Sequence, residues 1–417
     1  MRLSSSARIL LSLVAGLAIG IWLSGINPGW LPRSIAIAEP IGALWLDALR
    51  MTIIPLVFSL LVTGIASTAA MASAGGLAAR SLLLFVVVLL LAAVFGELAV
   101  EGFLALWPIP ADAAEALRAS MASSATTVPA VAPLSEWLAA IIPTNPVKAA
   151  AEGEMLPLVL FALLFGFAIT QLARERAVGL VNFFEAIVEA MMVIVHWVIL
   201  VAPIGVFALA YVVGARVGLG IAGALAHYLV LLVVVQVVLI ALIYPMVVLS
   251  TKIPLGTFAR AVAPAQAVAT STQSSLASLP AMIESTRQLG IAAPVTALVM
   301  PLAVSVFRFT SPVANLAVVL YSASLFGVQL GLVHYAIGAV IALLMSLASV
   351  GLPGQVSFFA SIAPICLAMG VPVGMLPLLL AVESIPDIFR TIGNVTADVA
   401  ITAVLAGDAI GVPETES

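Results

Sequence analysis

The chain has 417 residues, 64% of them apolar and only 8% charged, with 15 Lys and Arg against 19 Asp and Glu. A water-soluble protein of that length needs far more polar surface, so the composition points to an all-α polytopic membrane protein embedded in a lipid bilayer. The near-balanced charge leaves no basic patch for nucleic acid, and the single cysteine, Cys366, excludes an intrachain disulfide and reads as a small buried apolar residue.

Taken in chain order, Arg2 and Arg8 precede a long apolar run with no small-residue cleavage site after it, which predicts a retained first span. Apolar segments follow at about 8–27, 41–67 and 80–107. The third has no Ser, Thr or Tyr from Leu82 to Gly96 and carries Glu97 and Glu101 one turn apart. The connection at about 108–152, rich in Ala, Ser, Thr and Pro, reads as a variable outer loop. Further segments lie at about 155–172, 181–213, 225–250, 292–326 and 375–407. Most can cross a hydrocarbon core of about 30 Å, and the longest must tilt or break.

Two regions differ, at about 257–290 and 332–374. Each has two short apolar arms around a small, polar centre, Thr270 to Ser278 in the first and Ser349 to Ser357 in the second. Arms too short to span predict re-entrant helical hairpins, whose irregular tips are tolerated only where they line a cavity or are buried in protein. Each hairpin precedes a long span interrupted by polar or helix-breaking residues, Arg308 to Pro312 and then Glu383 to Asp398. That pattern occurring twice is what inverted repeats around a midplane site produce.

The last segment is the most informative. Glu383, Asp387, Arg390, Asn394 and Asp398 recur at helical spacing and share an arc of about 80° on one helix face. Each charge costs roughly 2.5–3.5 kcal/mol at a bilayer centre, so such a face persists where it lines a cavity and binds something polar. A planar guanidinium offers two parallel donors to a carboxylate, and a carboxylate one turn away suits an ammonium. The bland alternative is that Asp387 and Arg390 merely neutralise each other.

With the N-terminus in the cytoplasm of an inner (plasma) membrane protein, inner flanks hold Arg2, Arg8, Arg80, Arg174, Arg176, Lys252, Arg260 and Arg287, and outer loops hold Arg33, Arg118, Lys148 and Arg216. That bias supports the orientation. His196, His227 and His334 are too scattered for a metal site, and His196 and His227 read as interfacial or satisfied; the six tryptophans, Trp45 among them, read as interface anchors. No nucleophile with an adjacent base and no phosphate-cradling loop occurs, which argues against an enzyme and calls for no cofactor.

Met51-Thr-Ile-Ile-Pro-Leu-Val-Phe58, Pro143-Thr-Asn-Pro146 with Met155-Leu-Pro157, Ala202 to Phe207, Gln273 to Pro280, Gly351-Leu-Pro-Gly354 and Asp387 to Asp398 together resemble the dicarboxylate/amino acid:cation symporter family, the glutamate transporter homologues. The resemblance implies a homotrimer of eight transmembrane helices plus two re-entrant hairpins, working as an elevator. It places a scaffold at 1–79 and 108–224, a transport domain at 80–107 and 225–407, and a cytoplasmic tail at 408–417. It also implies that Asp387 receives a substrate ammonium, Arg390 grips a side-chain carboxylate and Asn394 contacts the main carboxylate. Thr391, Ser311, Ser274, Ser275 and the second tip, Val350, Gly351, Pro353 and Gly354, complete the cradle, with the family's serine run shortened by Leu276.

The departure lies in the seventh span. Where the family has Asn-Met-Asp-Gly-Thr, this chain reads Phe307-Arg308-Phe309-Thr310-Ser311. Two oxygen ligands have become phenyl rings and a permanent cation has entered, which predicts a degraded sodium site. Arg308, Asp398, Glu383, Glu97, Glu101 and Ser305 are then the candidates for cation coupling or its replacement. The expected function is transport of aspartate or glutamate with reduced or absent sodium coupling, possibly driven by protons. A C4-dicarboxylate symporter of the same fold, or a non-concentrative anion channel or sensor, are the alternatives.

Overall fold

The structure, a computed structural model, describes residues 5–72, 76–110, 114–115, 143–152, 155–218, 220–348 and 354–407. The helices in its first half are α1 (Ser5–Ile26), α2 (Leu31–Ala72), α3 (Gly76–Leu106), α4 (Pro146–Glu152), α5 (Met155–Thr170), α6 (Arg174–Leu200) and α7 (Ala202–Val217). The second half contributes α8 (Gly220–Ser250), α9 (Leu255–Thr272), α10 (Leu279–Gln288), α11 (Ala293–Val306) and α12 (Ser311–Phe326). After these come α13 (Leu332–Ala348), α14 (Gly354–Ala368), a 3₁₀ turn (Val373–Met375), α15 (Leu376–Val382) and α16 (Ser384–Ala406).

Six stretches among the described residues are long and apolar enough to cross a membrane: α2, α3, α6, α8, α11 with α12, and α16. Three segments that read as single spans are each two helices. The break falls at Val201 between α6 and α7, at Phe307–Thr310 between α11 and α12, and at Glu383 between α15 and α16. Proline explains the first two: Pro203 and Pro312 sit in the first turn of the following helix, where the missing N–H costs nothing. The regions expected to be hairpins are the helix pairs α9/α10 and α13/α14, each packed on itself.

Two packing groups follow. In one, α2 packs against α5, α6 and α7, and α1 crosses α7. That crossing is backbone on backbone: a Cβ on Gly16 would stand 2.6 Å from the Phe207 carbonyl oxygen, and one on Gly214 2.8 Å from that of Leu17. Small residues permit this approach, which supplies packing where lipid offers no hydrophobic drive. In the other group α16 is wrapped by α8, α9 and α11, while α3 lies along α12 and α13. The groups meet where α2 touches α13 and α14. Burial follows the same division: the most apolar window of α11–α12 is 89% buried and that of α6 only 17%.

Trp45 departs from its expected place at an interface. It is buried, with Nε1 donating to the Val198 carbonyl at 2.9 Å, and so locks α2 to α6.

Candidate functional site

The polar face of α16 lies at the centre of the second group. Glu383, Arg390, Asn394 and Asp398 are all buried, and Asp387 is half-buried. Arg390 Nη2 donates to Glu383 Oε1 at 2.5 Å, with both side chains nearly inaccessible. The arginine's partner is therefore the carboxylate two turns back, and not Asp387 at i−3. Thr391 is buried beside them, its hydroxyl bonded to the Asp387 carbonyl at 2.8 Å.

Facing α16 is the link between α11 and α12. The Thr310 backbone N–H donates to Asn394 Oδ1 at 2.9 Å, and the Thr310 hydroxyl lies 2.9 Å from both that oxygen and the Arg390 carbonyl. This commits the carbonyl end of the Asn394 amide and leaves its nitrogen as the end that can donate to an anion. Thr310 reaches so far in because residue 393 is glycine. A Cβ there would collide with Thr310 Cγ2 and press on Ile240. Ser311 is buried at the start of α12, and Ser305 is half-buried near the end of α11.

On the same link Phe307 and Phe309 are buried. Phe307 stacks on Phe85 of α3 with centroids 4.8 Å apart and touches Phe309 at 5.8 Å. The hydroxyl-free part of α3 thus meets the phenyl rings of the link, and the volume between them is apolar. Arg308, between those rings in sequence, is within electrostatic range of Asp398 and Asp387, and of the like charge on Arg390. Asp398 Oδ1 accepts no hydrogen bond from the described residues. A guanidinium near it meets the need for a counter-charge that burial creates.

The first helix-pair tip reaches the same region, with Gln273 Nε2 donating to the Ser384 carbonyl at 3.4 Å. Ser274 and Ser275 beside it are half-buried; the Ser274 hydroxyl accepts the Ala277 N–H at 3.2 Å. At the second tip Gly354 opens α14, whereas Val350, Gly351 and Pro353 lie outside the described residues. Glu97 and Glu101 stand apart from this cluster. Glu97 is buried on α3, and Glu101 accepts the Tyr335 hydroxyl of α13 at 2.7 Å.

Two residues at the site carry no signal in the sequence alone. Thr310 sits inside the altered motif without an ionisable group, and only its pairing with Gly393 gives it away. Tyr228 of α8 is fully buried, and its hydroxyl lies within electrostatic range of Glu383 and Arg390. Its neighbour His227 is buried and has a partner, one of the two roles expected of it: Nε2 pairs with the Trp107 carbonyl at 2.9 Å, and the ring meets Trp107 edge-on at 4.7 Å and lies 5.7 Å from Tyr321 between centroids. Among the described residues no group of three or more His, Cys, Asp or Glu side chains could hold a metal ion.

A buried guanidinium, amide and carboxylates on one broken helix, inside a bundle of membrane-length helices, define a multi-pass membrane transporter and not an enzyme. The chain belongs to the sodium:dicarboxylate symporter family, whose profile matches residues 6–407. It is 28% identical over 412 residues to the proton/glutamate-aspartate symporter of Escherichia coli (strain K12), covering 97% of this chain and 93% of that one. It is 26% identical over 401 residues, 96% and 92% of the two chains, to the proton/sodium-glutamate symport protein of Bacillus subtilis (strain 168). A C4-dicarboxylate transport protein of Azorhizobium caulinodans is 26% identical over 402 residues, 94% of this chain and 86% of that one.

Proposed function

We propose that this protein is a symporter of acidic amino acids, aspartate or glutamate, that does not depend on sodium and is driven by protons. The observation that carries the substrate is a buried guanidinium, Arg390, on the same face of α16 as a half-buried carboxylate, Asp387, one turn away and not paired with it. The first suits a side-chain carboxylate and the second an ammonium, while the free end of Asn394 suits the main carboxylate. Thr391, Ser311, Ser274, Ser275 and the second tip, with Val350, Gly351, Pro353 and Gly354, would close around it.

For the coupling, the apolar contact of Phe85, Phe307 and Phe309 removes oxygen ligands that a sodium ion needs, and Arg308 supplies a fixed positive charge beside Asp398. The printed name of the Escherichia coli relative, a proton/glutamate-aspartate symporter, agrees with proton coupling. In this reading α1, α2 and α4–α7 form the scaffold and α3 with α8–α16 the moving domain of a homotrimeric elevator, with the N-terminus inside. Glu97, Glu101 and Ser305 are secondary candidates for the coupling pathway.

The C4-dicarboxylate reading is supported by the similarity to the Azorhizobium caulinodans protein. Asp387 decides between the two, because a dicarboxylate has no ammonium to offset a half-buried anion. Competition binding on purified protein is the test: aspartate should displace labelled aspartate at least tenfold more effectively than succinate. Equal or better displacement by succinate would overturn the amino acid assignment. Saturable accumulation of labelled substrate in proteoliposomes against its gradient would exclude a channel or sensor.

A further inference from the structure

Glu97 is a buried carboxylate that neither the polar face of α16 nor the α11–α12 link uses. It follows directly on Leu82 to Gly96, a stretch of α3 without one hydroxyl or charge. The residue is only 8% exposed, and its Oε1 has no hydrogen-bond partner among the described residues. An ionised carboxylate is costly in such a place unless it is paired, yet the charge that acts on Glu97 is a like one, Glu101, one turn on. Glu101 is exposed and accepts the Tyr335 hydroxyl of α13 at 2.7 Å. Tyr335 is half-buried and lies within electrostatic range of Glu97 as well. An exposed carboxylate, a half-buried phenol and a carboxylate one turn deeper thus meet at the seam between α3 and α13.

The donor set selects the ligand. A metal ion needs four or more ligands, which two carboxylates and one phenol do not supply, whereas a proton needs one free oxygen. We propose that Glu97 and Glu101 bind one proton as a unit, held on Glu97, and that this proton crosses the membrane with the substrate. This rests on the reading of the protein as proton-driven and deepens it by naming where the ion sits. The step balances: the Glu97 carboxylate gains one proton from water by way of Glu101 and becomes a neutral acid, and on the far side that O–H bond breaks and the proton returns to water. Loading removes both the buried charge and its repulsion with Glu101. Tyr335 is a positioning residue, because its hydroxyl fixes Glu101 and ties α3 to α13. In the proposed elevator both helices belong to the moving domain, so a proton on Glu97 travels with that domain.

The surroundings offer Glu97 little else. Of the elements packed on α3, α11 carries no ionisable side chain, α12 only Tyr321, and α13 His334 and Tyr335. On α8 are His227, Tyr228 and Tyr244, with His227 set against Phe103 and Trp107. On α2 are Arg33, Glu39, Asp47 and Arg50, with Glu39 paired to Arg216 of α7 at 2.8 Å. Arg80 lies at the opposite end of α3.

The experiment counts protons and labelled aspartate entering proteoliposomes that contain a pH indicator, for wild type, Glu97→Gln, Glu101→Gln and Tyr335→Phe. Glu97→Gln should move one proton fewer per aspartate than wild type, and should still exchange internal for external aspartate, which shows that it is folded. Glu101→Gln and Tyr335→Phe should shift the pH dependence of uptake and leave the ratio of Glu97-bearing protein unchanged. An unaltered proton ratio in an exchange-competent Glu97→Gln overturns the proposal while the proton-driven reading stands. Aspartate uptake by wild type without any proton movement overturns that reading, and the proposal with it. Should Glu97→Gln not fold, wild type treated with an apolar carbodiimide, which modifies protonated carboxyls in apolar surroundings, decides: peptide mass mapping must find the adduct on Glu97 at low pH and lose it as pH rises, and no adduct there overturns the proposal. If succinate is carried and aspartate is not, the same ratios are read with succinate.

Discussion

The polar face of α16 and the α11–α12 link face each other across the same small volume, yet they are built on opposite principles. Along α16 polar side chains meet specific partners, Arg390 with Glu383 and Asn394 with Thr310, although Glu383 Oε2, Arg390 Nε and Asp398 Oδ1 have no hydrogen-bond partner among the described residues. On the link, rings fill the space and one cation is embedded between them, Phe307 against Phe85 and Arg308 near Asp398. In the account proposed here, a substrate-recognition face is kept while the opposite wall trades exchangeable ion ligands for a covalently fixed charge. A fixed charge takes the place of a bound sodium ion, and so it cannot couple transport to sodium.

The largest expected effect breaks the α16 side. Arg390→Ala removes a charge-assisted clamp in a dry site and leaves Glu383 buried without its partner; affinity for aspartate should fall by several kcal/mol, and stability by about 3–5 kcal/mol. The double change Arg390→Ala with Glu383→Ala separates the two losses. Thermal stability should largely return because no buried charge is stranded, while aspartate binding stays absent in calorimetry. Binding that returns with stability would show that Arg390 acts only as a structural ion.

Asp387→Asn comes next, with an expected loss of roughly 1.5–3 kcal/mol for aspartate and little or none for succinate, measured by parallel titrations. Equal losses would make Asp387 structural. On the opposite wall, Arg308→Met should uncover Asp398, lowering stability and weakening substrate binding by about tenfold or more, without making binding sodium-dependent while Phe307 and Phe309 remain. Gly393→Ala probes the contact between the two walls: the new Cβ collides with Thr310, so about 1–3 kcal/mol of stability should be lost. Thr310→Ser in the same background should recover part of it.

Much of this was legible in the sequence, and what was hidden has a common cause. The five polar positions from Glu383 to Asp398 follow from helical period alone, and the residue types at 307–311 mark the link at which Phe307 packs against Phe85. The partners were not legible. Arg390 has two carboxylates on its own face, Glu383 at i−7 and Asp387 at i−3, and spacing favours the nearer one, yet the structure pairs it with the farther. Glu383 sits where α15 ends and α16 begins, a break that periodicity treats as continuous helix. Trp45 is hidden for a similar reason: composition assigns tryptophan to membrane interfaces, while only the packing of α2 on α6 shows its buried carbonyl partner. Thr310 and Tyr228 are neutral and unremarkable in sequence, and their roles come from what lies across from them.

The claim that the ion-ligand wall has been replaced by a fixed cation is tested most directly by aspartate affinity measured on the same purified protein in sodium buffer and in choline buffer of equal ionic strength. The account predicts equal affinities within about twofold. A rise of tenfold or more in sodium, about 1.4 kcal/mol of coupling, would show that a working sodium site survives beside Arg308 and would contradict it.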